Sequence, residues 1–180
     1  MLRWLTDANR TRTTALELYG SSVAQARRAV FYRDWCVADS LDGRFELVML
    51  HVGLLLRRLT AEGAAGKTLG RAVVEQMFAA LDDDMRELGV GDVTVPKRVQ
   101  AAAGSFYGRL KAYDAALQAE DAKALAHALS RNIPSSQDKS LDAARLAAYA
   151  VACAQYLQQQ PLVALRQGDV SFPKPAAVQP

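Results

Sequence analysis

A chain of 180 residues is long enough for one domain with a sizeable core and short for two, and 51% apolar with 23% charged residues is the balance of a folded globular protein rather than a disordered or fibrous one. The formal charge of +3, from 22 basic and 19 acidic residues, is too small to imply a nucleic-acid partner unless the fold gathers cations locally. Cys36 and Cys153 stand far apart with neither CxxC nor Cys/His ligand spacing, so neither a zinc site nor a disulfide framework is signalled, and a reducing, cytosol-like compartment fits.

The N-terminal MLRWLTDANRTRTT lacks the apolar stretch and small-residue cleavage site of a secretory signal, and the protein is expected to stay inside. Apolar residues then recur at spacings of three and four, which predicts helices and almost no strand. A first helix is predicted over residues 7–29, with Leu16, Tyr19, Val23 and Ala26 on one face, ending near the aromatic turn AVFYRDW. The second begins after Asp39-Ser40-Leu41-Asp42, a capping sequence, and runs to about Glu62, where Gly63 stops it. A third covers roughly residues 67–88 and ends at the glycines of GVGD. Thr94 and Pro96 open a fourth that reaches about Gln118, proline being tolerated in a first turn whose N–H groups lack partners anyway. A short helix follows at about residues 121–131, ahead of the Asn132-Ile133-Pro134 break and the polar loop SSQDKS. Ser140 can cap a last long helix, LDAARLAAYAVACAQYLQQQ, with Leu141, Leu146, Tyr149, Cys153 and Leu157 roughly aligned. After Pro161 the pattern fades, and VSFPKPAAVQP carries three of the six prolines. The reading is an all-α, single-domain bundle of about six to seven helices over residues 1–167, with residues 168–180 as a Pro-rich extended tail.

The most apolar stretch, LVMLHVGLLLRR at residues 47–58, leaves ten residues between charges where a membrane span needs roughly 20, so it does not cross a bilayer. Phe45, Val48, Val52, Leu55 and Leu59 make one stripe, and Leu47, Leu50 and Leu54 widen it. A helix apolar on more than one side is either the surrounded centre of a bundle or the wall of a partly exposed groove for a partner. His51 lies among these leucines as a hydrogen-bonded core residue or a lining residue, and neither it nor His127 has the spacing of a metal pair.

The run Asp82-Asp83-Asp84 with Glu87 resembles the aspartate-rich magnesium motif of isoprenoid synthases, but the second acidic cluster that such chemistry needs is missing. No GxSxG, HExxH, P-loop or GxGxxG is present, so no catalytic residue, metal or cofactor is assigned. Basic groups remain: Arg27-Arg28 with Arg33, Arg57-Arg58, and Lys97-Arg98 with Arg109 and Lys111. Gathered by the fold they would make a cationic patch for ribosomal RNA, anionic lipid or an acidic partner; scattered, they are solvated charges.

Several features, in order and at their intervals, resemble the ubiquinol-cytochrome c chaperone family. They are Tyr19-Gly20, Arg27, Phe31-Tyr32, Asp42-Gly43-Arg44-Phe45, Leu50-His51-Val52, Arg57-Arg58, Glu62-Gly63 and Gly66-Lys67. They continue with Gly89-Val90-Gly91-Asp92, Pro96-Lys97-Arg98, Phe106-Tyr107-Gly108-Arg109 and Tyr113, covering roughly residues 18–130. The resemblance implies an all-helical, non-enzymatic assembly chaperone for respiratory complex III that binds newly made cytochrome b. It further implies a position near the ribosomal exit tunnel and, in mitochondria, a small helper protein. The absent transit peptide and the arginine- and alanine-rich composition suit a bacterial member, located in the cytoplasm with peripheral contact at the inner face of the inner membrane.

On this reading Arg57, Arg58, Lys97, Arg98 and Arg109 are expected to make electrostatic contact with a client or partner. Phe45, His51, Phe106, Tyr107 and Tyr113 are expected to line its apolar surface, with core packing the alternative for each. Two other functions stay open: an isoprenoid- or lipid-handling enzyme built on Asp82 to Glu87, and a ribosome- or RNA-associated adaptor.

Overall fold

The apolar periodicity resolves into eight helices among the described residues of the computed structural model, which describes residues 2–137 and 139–175, with side chains from residue 8 onward. They are α1 (Leu2–Ala26), α2 (Ala29–Arg33), α3 (Leu41–Thr60), α4 (Gly63–Glu87), α5 (Val95–Gln118), α6 (Ala122–Asn132), α7 (Ala143–Gln159) and α8 (Leu162–Arg166). Extended pairing among the described residues is confined to one isolated bridge between Val37 and Ser135. The domain is all-helical, as the spacing predicts.

Local chemistry sets the helix ends. Ser40 accepts a hydrogen bond from the Gly43 N–H and starts α3, and Asp121 does the same for Ala124 at α6. The last long helix is capped by Asp142, which accepts from the Arg145 N–H, rather than by Ser140. At the end of α4 the Val90 N–H reaches the Met85 carbonyl and the Gly89 N–H reaches Arg86, with Gly89 at φ +77°, the paired bonds of a Schellman motif. The start of α4 differs from the sequence expectation: it begins at Gly63 rather than near residue 67, because only Ala61 and Glu62 separate it from α3. Gly66 makes that close approach possible, since a Cβ there would collide with the Leu59 carbonyl.

Helix α3 is the surrounded centre of the bundle, packed by α1, α4, α5 and α7, with Leu47, Leu50, Val52, Leu55 and Leu59 all buried. Burying each such side chain contributes ~1.5–3 kcal/mol, so this one helix anchors much of the core. None of the helices among the described residues is long and apolar enough to cross a membrane.

Two elements depart from the sequence reading. The aromatic turn is a helix of its own, α2, which buries Phe31; and after Pro161 a short helix, α8, buries Leu165. The chain then turns at Gly168, φ +85°, where a Cβ would strike the Glu17 side chain. Residues beyond it run extended along the bundle, with Val170 and Phe172 against the core. Residues 176–180 of the expected tail and Asp138 of the SSQDKS loop lie outside the described residues.

Candidate functional site

The second half of α3, with α5 and α7 on either side, leaves an open cleft of about 780 Å³. Its apolar surfaces come from Leu54 and Leu56 on α3, Leu110 on α5 and Ala154 on α7, and Tyr107 stands at its edge, 55% exposed. Across it, Arg57 pairs through Nη1 with Asp114, which also accepts from the Gln118 amide at 2.9 Å. The Arg57 Nε is buried without a hydrogen-bond partner. Lys111, exposed on the next turn of α5, adds a cation with no ion pair among the described residues. An apolar floor with a half-satisfied guanidinium and a mobile-length lysine at its rim suits a helical or extended apolar segment that carries a carboxylate or carbonyl.

Arg58 lines the same cleft but is committed. Its Nε donates to the Leu157 carbonyl at 2.9 Å, Nη2 to the Gln160 carbonyl at 3.1 Å, and Nη1 pairs with Glu62. It therefore satisfies the open carbonyls at the end of α7 and ties that helix to α3.

Of the other residues singled out by sequence, three lie inside the protein. His51 is fully buried. Its Nδ1–H donates to the Leu47 carbonyl at 2.7 Å, which leaves Nε2 to accept from the Tyr149 hydroxyl at 3.0 Å; Tyr149 in turn accepts from Gln25 at 2.7 Å. Burial holds the imidazole pKa down at about 4, so the ring is neutral, and burial pushes the adjacent Cys153 thiol up to about 12. Phe106 is 1% exposed and packs edge-on to Phe78, fixing α5 to α4. Tyr113 is buried, with its phenol pushed up to about 12 by burial, and it sits beside the Glu46–Arg109 pair.

That pair joins α3 to α5 at 2.5 Å, and the Arg109 Nε also donates to Asn132 at 3.2 Å. Burial pushes the Glu46 carboxyl up to about 7 even against this guanidinium. Phe45 is half-buried against the core. Lys97 and Arg98 are exposed at the start of α5, without ion pairs among the described residues, and thirteen residues of helix put Arg98 about 20 Å from Lys111. The fold thus brings Arg57, Arg58, Tyr107 and Lys111 together and leaves Lys97 and Arg98 as a separate patch.

Asp82 pairs with Arg86 at 2.5 Å, and Arg86 also holds Asp92, so the acidic run is partly neutralised along its own helix end. Among the described residues no group of three or more His, Cys, Asp or Glu side chains could hold a metal ion. Sequence reasoning missed Leu110, Asp114 and Glu62 as cleft residues. The signal was present: Tyr107, Leu110, Lys111, Asp114 and Gln118 recur at intervals of three and four, one face of one helix.

Comparison with known proteins adds the following. Residues 33–172 match the family described as Ubiquinol-cytochrome C chaperone. The chain is 29% identical over 126 residues to ubiquinol-cytochrome-c reductase complex assembly factor 1 of Xenopus laevis, covering 70% of this chain and 62% of that protein. It is 28% identical over 110 residues to the Mus musculus protein of that name, 61% of this chain and 37% of that one. The crystal structure of the Cbp3 homolog from Brucella abortus superimposes with a TM-score of 0.86 at 38% identity, covering 99% of this chain and 100% of that one.

Proposed function

The chain belongs to the ubiquinol-cytochrome c chaperone family, and from that premise we propose that it assists assembly of ubiquinol-cytochrome c reductase, respiratory complex III, by holding newly made cytochrome b. The names of the relatives support a role in assembly of that complex. The observation that carries the reading to a place in the molecule is the cleft of Arg57, Tyr107, Leu110 and Lys111, which offers apolar surface beside a guanidinium whose Nε is unpaired. A chaperone of this kind needs no catalysis: a higher affinity for the unassembled subunit than for the assembled one makes release follow from assembly. Client segments seat on the apolar floor, and Arg57 and Lys111 meet their polar groups.

Lys97 and Arg98, apart from the cleft, are the contact assigned in this proposal to ribosomal RNA near the exit tunnel, and the protein acts in the cytoplasm, peripheral to the inner face of the inner membrane. A small helper protein is a further proposed partner. The test is affinity purification of the tagged chain from a respiring host that is making complex III, with mass spectrometry of what accompanies it. Cytochrome b is expected with the wild-type chain and lost with Tyr107→Ala plus Arg57→Ala; recovery of no cytochrome b by the wild-type chain would overturn the reading.

A further inference from the structure

We propose that the surface beneath residues 170–175 is a groove for extended peptides, filled here by the chain's own C-terminal segment and able to take, in exchange, an external segment with the same apolar–x–aromatic–proline pattern. The inference goes beyond the chaperone reading and does not depend on it.

The segment is held as peptide ligands are held, through its main chain. The Gln160 side-chain amide donates to the Ser171 carbonyl at 2.8 Å and accepts from the Ser171 N–H at 2.9 Å, the two-bond pairing that a neighbouring strand would supply. Two residues on, the Gln25 amide donates to the Pro173 carbonyl at 3.0 Å. These main-chain contacts read no side chain, so another extended segment could make them; the Ser171 hydroxyl adds two long bonds, to Gln160 Oε1 at 3.4 Å and to the Tyr156 hydroxyl at 3.5 Å. Specificity comes from alternate residues: Val170 and Phe172 point onto the bundle while Ser171 faces solvent, the period of two that an extended ligand presents to a groove. Phe172 stands edge-on to His51, ring centroids 5.3 Å apart at 82°, and Pro175 is buried beyond it.

The floor does not need the segment in order to be complete. His51, Tyr149 and Gln25 bond to one another, the Arg28 Nε donates to the Gln25 Oε1 at 2.8 Å, and Phe31 and Trp35 pack edge-on around Tyr149. Lifting the segment would free one amide donor of Gln25, the Gln160 amide and an aromatic pocket, with the rest of the polar network still paired. Such a site is pre-organised for a replacement. The segment, for its part, sets a few apolar anchors and solvent-facing hydrogen bonds against the ordering of an otherwise irregular stretch, which places its opening well below global unfolding.

Two measurements on the full chain decide the matter. In hydrogen exchange of the unaltered protein, the Ser171 amide is expected to exchange at least ~100-fold faster than amides in the middle of α3, with little dependence on denaturant, as local opening requires. In fluorescence anisotropy, a labelled peptide GDVSFPKP is expected to bind Phe172→Ala at least ~10-fold tighter than wild type, and to lose that gain when Gln160→Ala is added. Exchange of Ser171 only through global unfolding would overturn the proposal, and because that experiment uses the unaltered chain it decides even if the variant does not fold. A folded Phe172→Ala, by its helical circular dichroism and cooperative melt, that binds the peptide no better than wild type would overturn it equally.

Discussion

His51 and Arg57 sit on the same helix, six residues and about 120° apart, each a polar group among leucines, and the structure uses them in opposite ways. Around His51 both ring nitrogens are bonded, three aromatic rings from three other parts of the chain, Phe31, Tyr149 and Phe172, pack against it, and the side chain is fully buried. Around Arg57 only one end of the guanidinium is paired, its Nε has no partner, and the neighbouring surface is open. Satisfied polar groups specify packing, whereas unsatisfied ones beside a cleft are available to a partner. The two regions should therefore fail differently when altered: the first through stability, the second through binding.

The sharpest version of that contrast lies in adjacent residues. Phe106→Ala should cost about 3–5 kcal/mol, the usual price of emptying a buried aromatic site, and it should lower Tm and the denaturation midpoint together. A loss under about 1 kcal/mol would mean that the α4–α5 contact is not part of the core.

Acid should probe the sealed region next. His51 has its pKa held at about 4 by burial, against 6.5 when free, so the unfolded chain binds its proton first. Its contribution to stability is therefore full above about pH 6.5 and is lost as the pH falls toward 4. Glu46 works in the opposite direction: with its pKa pushed from 4.5 up to about 7 by burial, its contribution is present below about 4.5 and is lost as the pH rises toward 7. The two trends oppose each other in one window, so wild-type stability alone will look flatter than either. The informative quantity is the difference between wild type and His51→Gln, which should shrink by about 1.4 kcal/mol per pH unit on going from about pH 6.5 toward pH 4. A difference independent of pH in urea unfolding would show that His51 is not buried neutral.

Why was so much of the fold legible and so little of the site? The helices were legible because capping residues and glycines act locally: Ser40 and Gly89 do in the structure what their neighbours in sequence suggest. The apolar circumference of α3 left two readings, surrounded centre or groove wall, and the structure makes it both, packed by four helices while Leu54 and Leu56 line the cleft. What sequence could not weigh was the partner of each polar group, because those partners are remote. Arg57 and Arg58 are adjacent and chemically identical, yet Arg58 meets carbonyls 99 and 102 residues away while Arg57 meets Asp114. The same holds for the C-terminal segment, whose prolines and lack of periodicity suggest a tail, while Val170 joins the core and Phe172 and the Pro173 carbonyl reach His51 and Gln25 on two different helices. Side-chain type travels with sequence, but satisfaction does not.

Arg58→Ala tests that distinction at intermediate size. Removing the guanidinium takes the Arg58 bond from the Gln160 carbonyl and leaves the Leu157 carbonyl with only the Gln160 N–H at 3.3 Å, which should cost about 1–3 kcal/mol and loosen α7 before the rest of the bundle. Hydrogen exchange along α7 checks it; uniform loss of protection across all helices would mean that Arg58 acts on the whole core instead.

The smallest effect on stability should accompany the largest on binding. Tyr107→Ala removes an exposed ring next to the buried Phe106 and should shift unfolding by less than ~0.5 kcal/mol. Lys111→Glu should do no more, since that side chain makes no ion pair among the described residues. If the cleft is where a client is held, both should nonetheless reduce cytochrome b recovered with the tagged chain, and Lys111→Glu should do so by repelling the carboxylates that the cationic rim attracts. Folded variants that recover cytochrome b as well as wild type would move the contact elsewhere, and the separate patch of Lys97 and Arg98 would be the place to look, because it is the other cationic surface of α5 that the fold leaves unpaired among the described residues.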